Sequence, residues 1–187
     1  MVKIKICGLS RPQDVEAACG ADYIGFVFAK SRRQISGRQA RELKMLSKLP
    51  CVGVFVNEKP DIIRELLDTI DIIQLHGSED ECYIQNIRSF GRPVIKSANP
   101  QAYISKAADF LLFDSPNPGR GKVFDWSLIP KIDKPYFLAG GLSLDNVDQA
   151  LQLQPYAVDV SSGVETNGLK DPNKIIQFIR KVREFNA

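Results

Sequence analysis

Hydrophobic and polar positions along the chain fall into two alternating periods. Short runs rich in Val, Ile, Phe and Tyr recur at 3–7 (KIKIC), 23–28 (YIGFVF), 51–56 (CVGVFV), 71–75 (DIIQL), 93–97 (PVIKS), 109–114 (DFLLFD), 135–139 (PYFLA) and 157–160 (AVDV). Their length and β-branched content predict strands. Between them lie helix-like stretches: PQDVEAAC, SGRQARELKMLSKL, KPDIIRELLD, SEDECYIQNIRSF, a weak one over 100–108, a short one after Asp125, SLDNVDQALQL and DPNKIIQFIRKVREFN. Ser10, Ser36 and Asp171 are the expected N-caps, and Pro172 occupies the favoured first helical position.

The first and last strand starts lie 154 residues apart, so seven intervals average 22 residues per strand-plus-helix unit. Such a repeat implies a parallel sheet, and eight units allow closure, whereas an open doubly wound sheet more often has five or six. The expected fold is therefore α/β, a single-domain (β/α)8 TIM barrel over residues 1–187. Barrels of this kind usually need about 200 residues or more, so every loop must be short.

Composition narrows the function. The chain has 44% hydrophobic and 25% charged residues, near globular averages, and its net charge of +3 is scattered, which argues against nucleic acid. No stretch is long and apolar enough for a signal peptide or a membrane anchor. Cys7, Cys19, Cys51 and Cys82 form no CxxC pair, so a reducing cytoplasm is expected, without a structural metal. His76 is the only histidine. Gly121-Lys122 fails as a phosphate loop, because Pro116 stands where the first glycine belongs and Val123 replaces Ser or Thr. A small-molecule ligand remains.

In a parallel barrel ligands sit at the C-terminal strand ends, and here these ends are polar. They carry Cys7-Gly8, Gln74 and His76, Lys96, Asp114, Gly140-Gly141, and Asp159 through Gly163. Alternation puts Lys3, Lys5 and Cys7 on one face with Ile4 and Ile6 on the other, and groups Phe110, Leu112 and Asp114. Cys7 and Asp114 can then both look into the mouth. They form a base and acid pair if Lys5 favours the thiolate and the surroundings keep Asp114 protonated. The plainer alternatives are a small buried hydrophobe for Cys7 and a loop cap for Asp114.

Gly140-Gly141 and Ser161-Ser162-Gly163 follow the seventh and eighth strands, where such barrels hold phosphate on backbone N–H groups; the alternative is two ordinary tight turns. Lys30 and Arg32 read as a solvated face, whereas Arg33 can fork onto a carboxylate. His76 can be a ligand contact or a packed residue, and Lys96 an interior ion-pair partner. The segment SPNPGRGK after Asp114 is a candidate lid.

Several of these segments resemble phosphoribosylanthranilate isomerase: KICG at 5–8, GFVF at 25–28, KSRRQIS at 30–36, GVFVN at 53–57, QLHG at 74–77, LLFDS at 111–115, GKVFDW at 121–126, AGGL at 139–142, VDVSSGVE at 158–165 and GLKD at 168–171. They occur in the family's order along essentially the whole chain. The resemblance implies an Amadori rearrangement of a phosphoribosylated anthranilate in tryptophan biosynthesis, without cofactor or metal. It further implies Cys7 as general base, Asp114 as general acid, Arg33 facing the anthranilate carboxylate and Asp159 near the substrate nitrogen. Gln74 and His76 then line the pocket, and Gly140, Gly141, Ser161, Ser162 and Gly163 hold phosphate. A monomer is expected, with a homodimer as the alternative. Two features depart from the family pattern: Arg120 in a short loop, and only 16 residues between the fifth and sixth strand starts. The rivals are the histidine-pathway isomerase, which would carry paired aspartates and two phosphate clusters, and a phosphate-binding barrel without catalysis.

Overall fold

The computed structural model describes residues 1–100, 104–115 and 123–187. Eight parallel strands, β1 (Lys3–Cys7), β2 (Tyr23–Val27), β3 (Cys51–Phe55), β4 (Ile72–Leu75), β5 (Val94–Ala98), β6 (Phe110–Phe113), β7 (Tyr136–Leu138) and β8 (Ala157–Val160), pair in sequence order. β8 pairs back onto β1, which closes the barrel and leaves no open edge.

The alternation expected for β1 holds around the ring. Tyr23, Val52, Ile72, Ile95, Leu112, Phe137, Ala139 and Ala157 pack together inside the barrel. Ile4, Ile6, Phe26, Phe55, Leu111 and Phe113 belong to the larger core between strands and helices. At the N-terminal mouth Lys3 Nζ donates to the hydroxyls of Tyr156 and Tyr23, at 3.0 and 3.3 Å, and the Tyr156 ring packs against Phe110 and Phe137. That plug leaves the C-terminal mouth for the ligand.

Helices cover the outside: α1 (Pro12–Ala17), α2 (Gly37–Lys44), α3 (Pro60–Arg64), α4 (Glu81–Arg88), α5 (Val147–Gln152) and α6 (Pro172–Phe185). Their starts follow capping chemistry. Ser36 and Gln39 form a reciprocal capping box, and Asp171 accepts from the N–H groups of Asn173 and Lys174. α6 buries Ile175, Phe178, Ile179 and Val182, one stripe at helical spacing. Ser10 is not the cap of α1; Arg11 holds that place without a side-chain cap bond. Pro12 forces the residue before it into extended backbone, and Arg11 instead clamps Asp14 with bonds of 3.1 and 2.6 Å.

Two crossovers are economised, which is how so short a chain closes the ring. In the β5–β6 connection residues 104–109 form no helix, contrary to the weak one expected over 100–108, of which 101–103 lie outside the described residues. Side chains take the backbone groups a helix would pair: Glu81 accepts from Lys106 and Ala107, Ser105 Oγ from Ala108, and Lys134 Nζ donates to the carbonyls of Ser105, Lys106 and Ala108. Between β6 and β7 the described residues hold one 3-10 turn, Trp126–Leu128, capped by Asp125.

One hairpin went unread in the sequence. β9 (Glu165–Thr166) and β10 (Leu169–Lys170) pair antiparallel around Asn167-Gly168, both at positive φ. An Asn-Gly pair is the strongest short-range hairpin signal, so it was legible. Among the described residues no helix is long and apolar enough to cross a membrane.

Candidate active site

A cavity of about 240 Å³ opens at the C-terminal mouth. Of the eleven candidate site residues, ten line it: Cys7, Arg33, Gln74, His76, Asp114, Gly140, Gly141, Asp159, Ser161 and Ser162. Gly163 stands behind the wall. It bridges Ser143, and a Cβ there would lie 1.8 Å from the Leu142 carbonyl oxygen, so its smallness lets the β7 and β8 loops touch.

Strand register explains the chemistry at β1. Lys5 lies opposite Asp159 in the β1–β8 pairing, and Lys5 Nζ donates to Asp159 Oδ2 at 2.6 Å with no solvent exposure of the lysine side chain. Cys7 lies opposite Gly25, where a Cβ would meet Cys7 Sγ at 3.1 Å and Lys5 Cε at 3.3 Å. Glycine therefore makes room for sulfur and ammonium side by side.

The charges respond to that burial. Removal from water opposes the Lys5 ammonium, yet attraction to Asp159 and Cys7 holds its pKa above the ordinary value. Burial pushes the Asp159 carboxyl up, opposed by Lys5. The ammonium keeps its proton, held by Asp159 Oδ2 at 2.6 Å. Asp159 Oδ1 has no hydrogen-bond partner, and such a buried acceptor calls for a ligand N–H or O–H. Burial also pushes the Cys7 thiol up, more than Lys5 and Lys170 pull it down. The condition that Lys5 favour the thiolate is thus opposed by burial, which is the larger effect.

Across the mouth, β6 ends at Asp114. Its Oδ1 accepts from the Ser115 N–H at 2.6 Å, so the loop-cap role is real, while Oδ2 lies 3.4 Å from His76 Nε2. Gln74 Nε2 is 3.1 Å from His76 Nδ1. With the amide donating there, the imidazole proton sits on Nε2 and faces Asp114.

Arg33 reaches the pocket across Gly8, whose φ of +77° only glycine holds easily and where a Cβ would meet Arg33 Cδ at 2.6 Å. Lys30 is exposed, as the solvated reading expects, and also stands at the pocket's lining, while Arg32 is half exposed and pairs with Glu165. Lys96 does not face the interior. Ile95 does, and Lys96, one residue on, turns outward to Glu79 at 3.0 Å and the Gly77 carbonyl at 2.6 Å, stapling the loop that carries His76. Residues 116–122, most of the candidate lid including Arg120, lie outside the described residues.

Sequence reasoning missed the apolar wall of Val27, Val54, Val56 and Leu142, which strand alternation could have supplied. It also missed Glu165 and Lys170, which meet Arg33 and Ser161 through the hairpin. Among the described residues no three His, Cys, Asp or Glu side chains are grouped to hold a metal ion.

Comparison with known proteins agrees over nearly the full length. The family model for N-(5'-phosphoribosyl)anthranilate (PRA) isomerase matches residues 4–181. The N-(5'-phosphoribosyl)anthranilate isomerase of Endomicrobium trichonymphae is 47% identical, covering 99% of this chain and 100% of its own. A monomer form of the dimeric phosphoribosylanthranilate isomerase of Thermotoga maritima superposes with a TM-score of 0.87 at 37% identity, covering 98% and 100%. A phosphoribosyl anthranilate isomerase in complex with reduced 1-(o-carboxyphenylamino)-1-deoxyribulose 5-phosphate superposes with a TM-score of 0.81 at 36% identity, covering 98% and 100%.

Proposed function

The chain belongs to the N-(5'-phosphoribosyl)anthranilate isomerase family and is an isomerase of tryptophan biosynthesis, and from that premise we propose that Cys7 and Asp114 rearrange the substrate by general base and general acid catalysis. The observation that carries this reading is that β1 and β6, on different sides of the ring, deliver a thiol and a carboxyl to one cavity. Asp114 protonates the furanose ring oxygen of N-(5'-phosphoribosyl)anthranilate, and the ring opens to a protonated Schiff base. Cys7 as thiolate takes the C2' proton, which gives an enolamine. The enolamine tautomerises to 1-(2-carboxyphenylamino)-1-deoxyribulose 5-phosphate. His76, with its proton toward Oδ2, steadies the Asp114 carboxylate after it gives up its proton.

The remaining groups hold the ligand. Asp159 Oδ1, otherwise unpartnered, accepts from the substrate nitrogen, and Arg33 meets the anthranilate carboxylate. Gly140, Gly141, Ser161, Ser162 and Gly163 form the two loops assigned to the phosphate, with Gly163 acting through the loop contact. The valine wall accepts the aromatic ring.

Residues 1–187 form one domain in this reading. The working unit is a monomer, because one chain supplies all the pocket groups, and light scattering decides between it and a homodimer. Four free cysteines support a cytoplasmic location.

The test is turnover, followed by loss of anthranilate-type fluorescence on freshly made phosphoribosylanthranilate. Cys7→Ser and Asp114→Asn are each expected to lower kcat about 100- to 10,000-fold, with folding retained. Full activity in either variant overturns its assignment.

A further inference from the structure

Arg33 makes one contact that the mechanism leaves unused. Its Nε donates to Glu165 Oε1 at 2.6 Å and its Nη2 to Glu165 Oε2 at 3.1 Å, so a carboxylate of the chain itself occupies one edge of the guanidinium. A guanidinium has a second edge, between Nη1 and Nη2, that can fork onto another carboxylate.

Glu165 is itself held fast. It lies opposite Lys170 in the β9–β10 pairing, Lys170 Nζ donates to its Oε1 at 2.8 Å, and Arg32 Nη2 donates to its Oε2 at 2.6 Å. The side chains of Glu165 and Lys170 are only 6% and 2% exposed. Despite that burial, Arg33 and Lys170 hold the Glu165 carboxyl below its ordinary value, so it stays anionic. Three cations meet one carboxylate, which leaves positive charge over for a ligand. The stem of Arg33 is meanwhile laid against Gly8.

We infer that Glu165 is a positioning residue for recognition of the substrate's ring carboxylate: it grips the Nε–Nη2 edge of Arg33 so that the other edge is presented to the cavity. This rests on Arg33 being the carboxylate's partner. The same hairpin ties recognition to the reacting group, because Lys170 Nζ also donates to the Ser161 carbonyl at 2.8 Å and to Ser161 Oγ at 3.1 Å. Ser161 Oγ in turn donates to the Cys7 carbonyl at 3.0 Å. One hydrogen-bonded set thereby fixes the ring's anchor relative to the strand end that bears the sulfur.

A competing role predicts the opposite sign. Were Glu165 only a neutraliser of Arg33, removing it would leave more positive charge and tighten binding of a carboxylated ligand.

The experiment compares reduced 1-(o-carboxyphenylamino)-1-deoxyribulose 5-phosphate with its counterpart lacking the ring carboxylate. Affinities for both, with kcat and KM, are measured on the wild-type chain and on Glu165→Ala, Glu165→Gln, Arg33→Ala and the Arg33→Ala/Glu165→Ala double variant, each checked by circular dichroism. Glu165→Ala is expected to weaken the carboxylated ligand and raise KM about tenfold, the scale of a charge-assisted hydrogen bond. The other ligand and kcat should move less than about threefold, and the effect should vanish in the Arg33→Ala background. Glu165→Gln should fall between, since its amide keeps one acceptor, and it carries the comparison if the alanine variant does not fold. Tighter binding of the carboxylated ligand, or equal weakening of both while Arg33→Ala still discriminates, overturns the role of Glu165 and leaves that of Arg33 standing. Equal effects of Arg33→Ala on both ligands remove both.

Discussion

Lys5→Met isolates what the buried charge pair contributes. The Lys5 side chain is wholly shielded from solvent, and its ammonium lies 2.6 Å from Asp159 Oδ2 on a side chain 6% exposed. Methionine keeps most of the stem's volume, so little cavity opens, and the change reduces to leaving a buried carboxylate with no counter-ion. Removing one partner of such a pair typically costs about 3–5 kcal/mol. Proton linkage supplies the pH dependence. Burial already pushes Asp159 up, and without Lys5 it holds a proton in the native state that the unfolded chain, with an ordinary carboxyl near 3.9, has released above about pH 5. The native state then binds more proton than the unfolded state, so stability falls as pH rises, by at most about 1.4 kcal/mol per pH unit and only until the native pKa is passed. The sign follows from a raised carboxyl: its penalty is largest at high pH and is relieved as pH falls toward the unfolded value. Urea unfolding of both chains by circular dichroism at pH 5, 6, 7 and 8 should show a gap in midpoint that widens with pH at unchanged slope. A gap that is constant with pH, or under about 1 kcal/mol at pH 8, would refute the reasoning, because the pair would then be well hydrated.

The raised Cys7 thiol makes a kinetic prediction. Alkylation of Cys7 by iodoacetamide, followed by peptide mass spectrometry, should accelerate between pH 7 and 9 without reaching a plateau, because the reactive thiolate fraction grows with pH below a pKa lying above the ordinary thiol value; a plateau by pH 7 would refute the raised thiol. Gly163→Ala should destabilise the fold by about 2–3 kcal/mol, the scale of overpacking, since its Cβ would meet backbone and not a yielding side chain. Thermal melting should fall by several degrees and KM for the phosphorylated substrate should rise, whereas an unchanged melting temperature would show that the loops separate freely.

Much of the fold was legible because its determinants are local. Each strand is a short β-branched run, and the caps at Ser36 and Asp171 lie within three residues of the groups they satisfy. Alternation also told which side of β1 and β6 faces the mouth, so Cys7 and Asp114 could be nominated together. The failures have specific explanations too. Ser10 lost its cap to the constraint Pro12 places on Arg11, and the weak helix in the β5–β6 connection lost its backbone partners to Glu81, Ser105 and Lys134, two of which come from other crossovers.

The sequence by itself determined the order of elements, the barrel class and the identity of the groups at the strand ends, since propensity, alternation and capping act over a few residues. Only the tertiary structure decided which distant groups meet. Lys5 finds Asp159, Arg33 finds Glu165 and His76 faces Asp114 because closing the ring aligns β1 with β8 and brings the loops of every strand to one mouth. Burial at that mouth then sets the charge states, raising the Cys7 thiol and holding the Glu165 carboxyl down. Desolvation and Coulomb attraction depend on distances through space, and those exist only after the chain has closed.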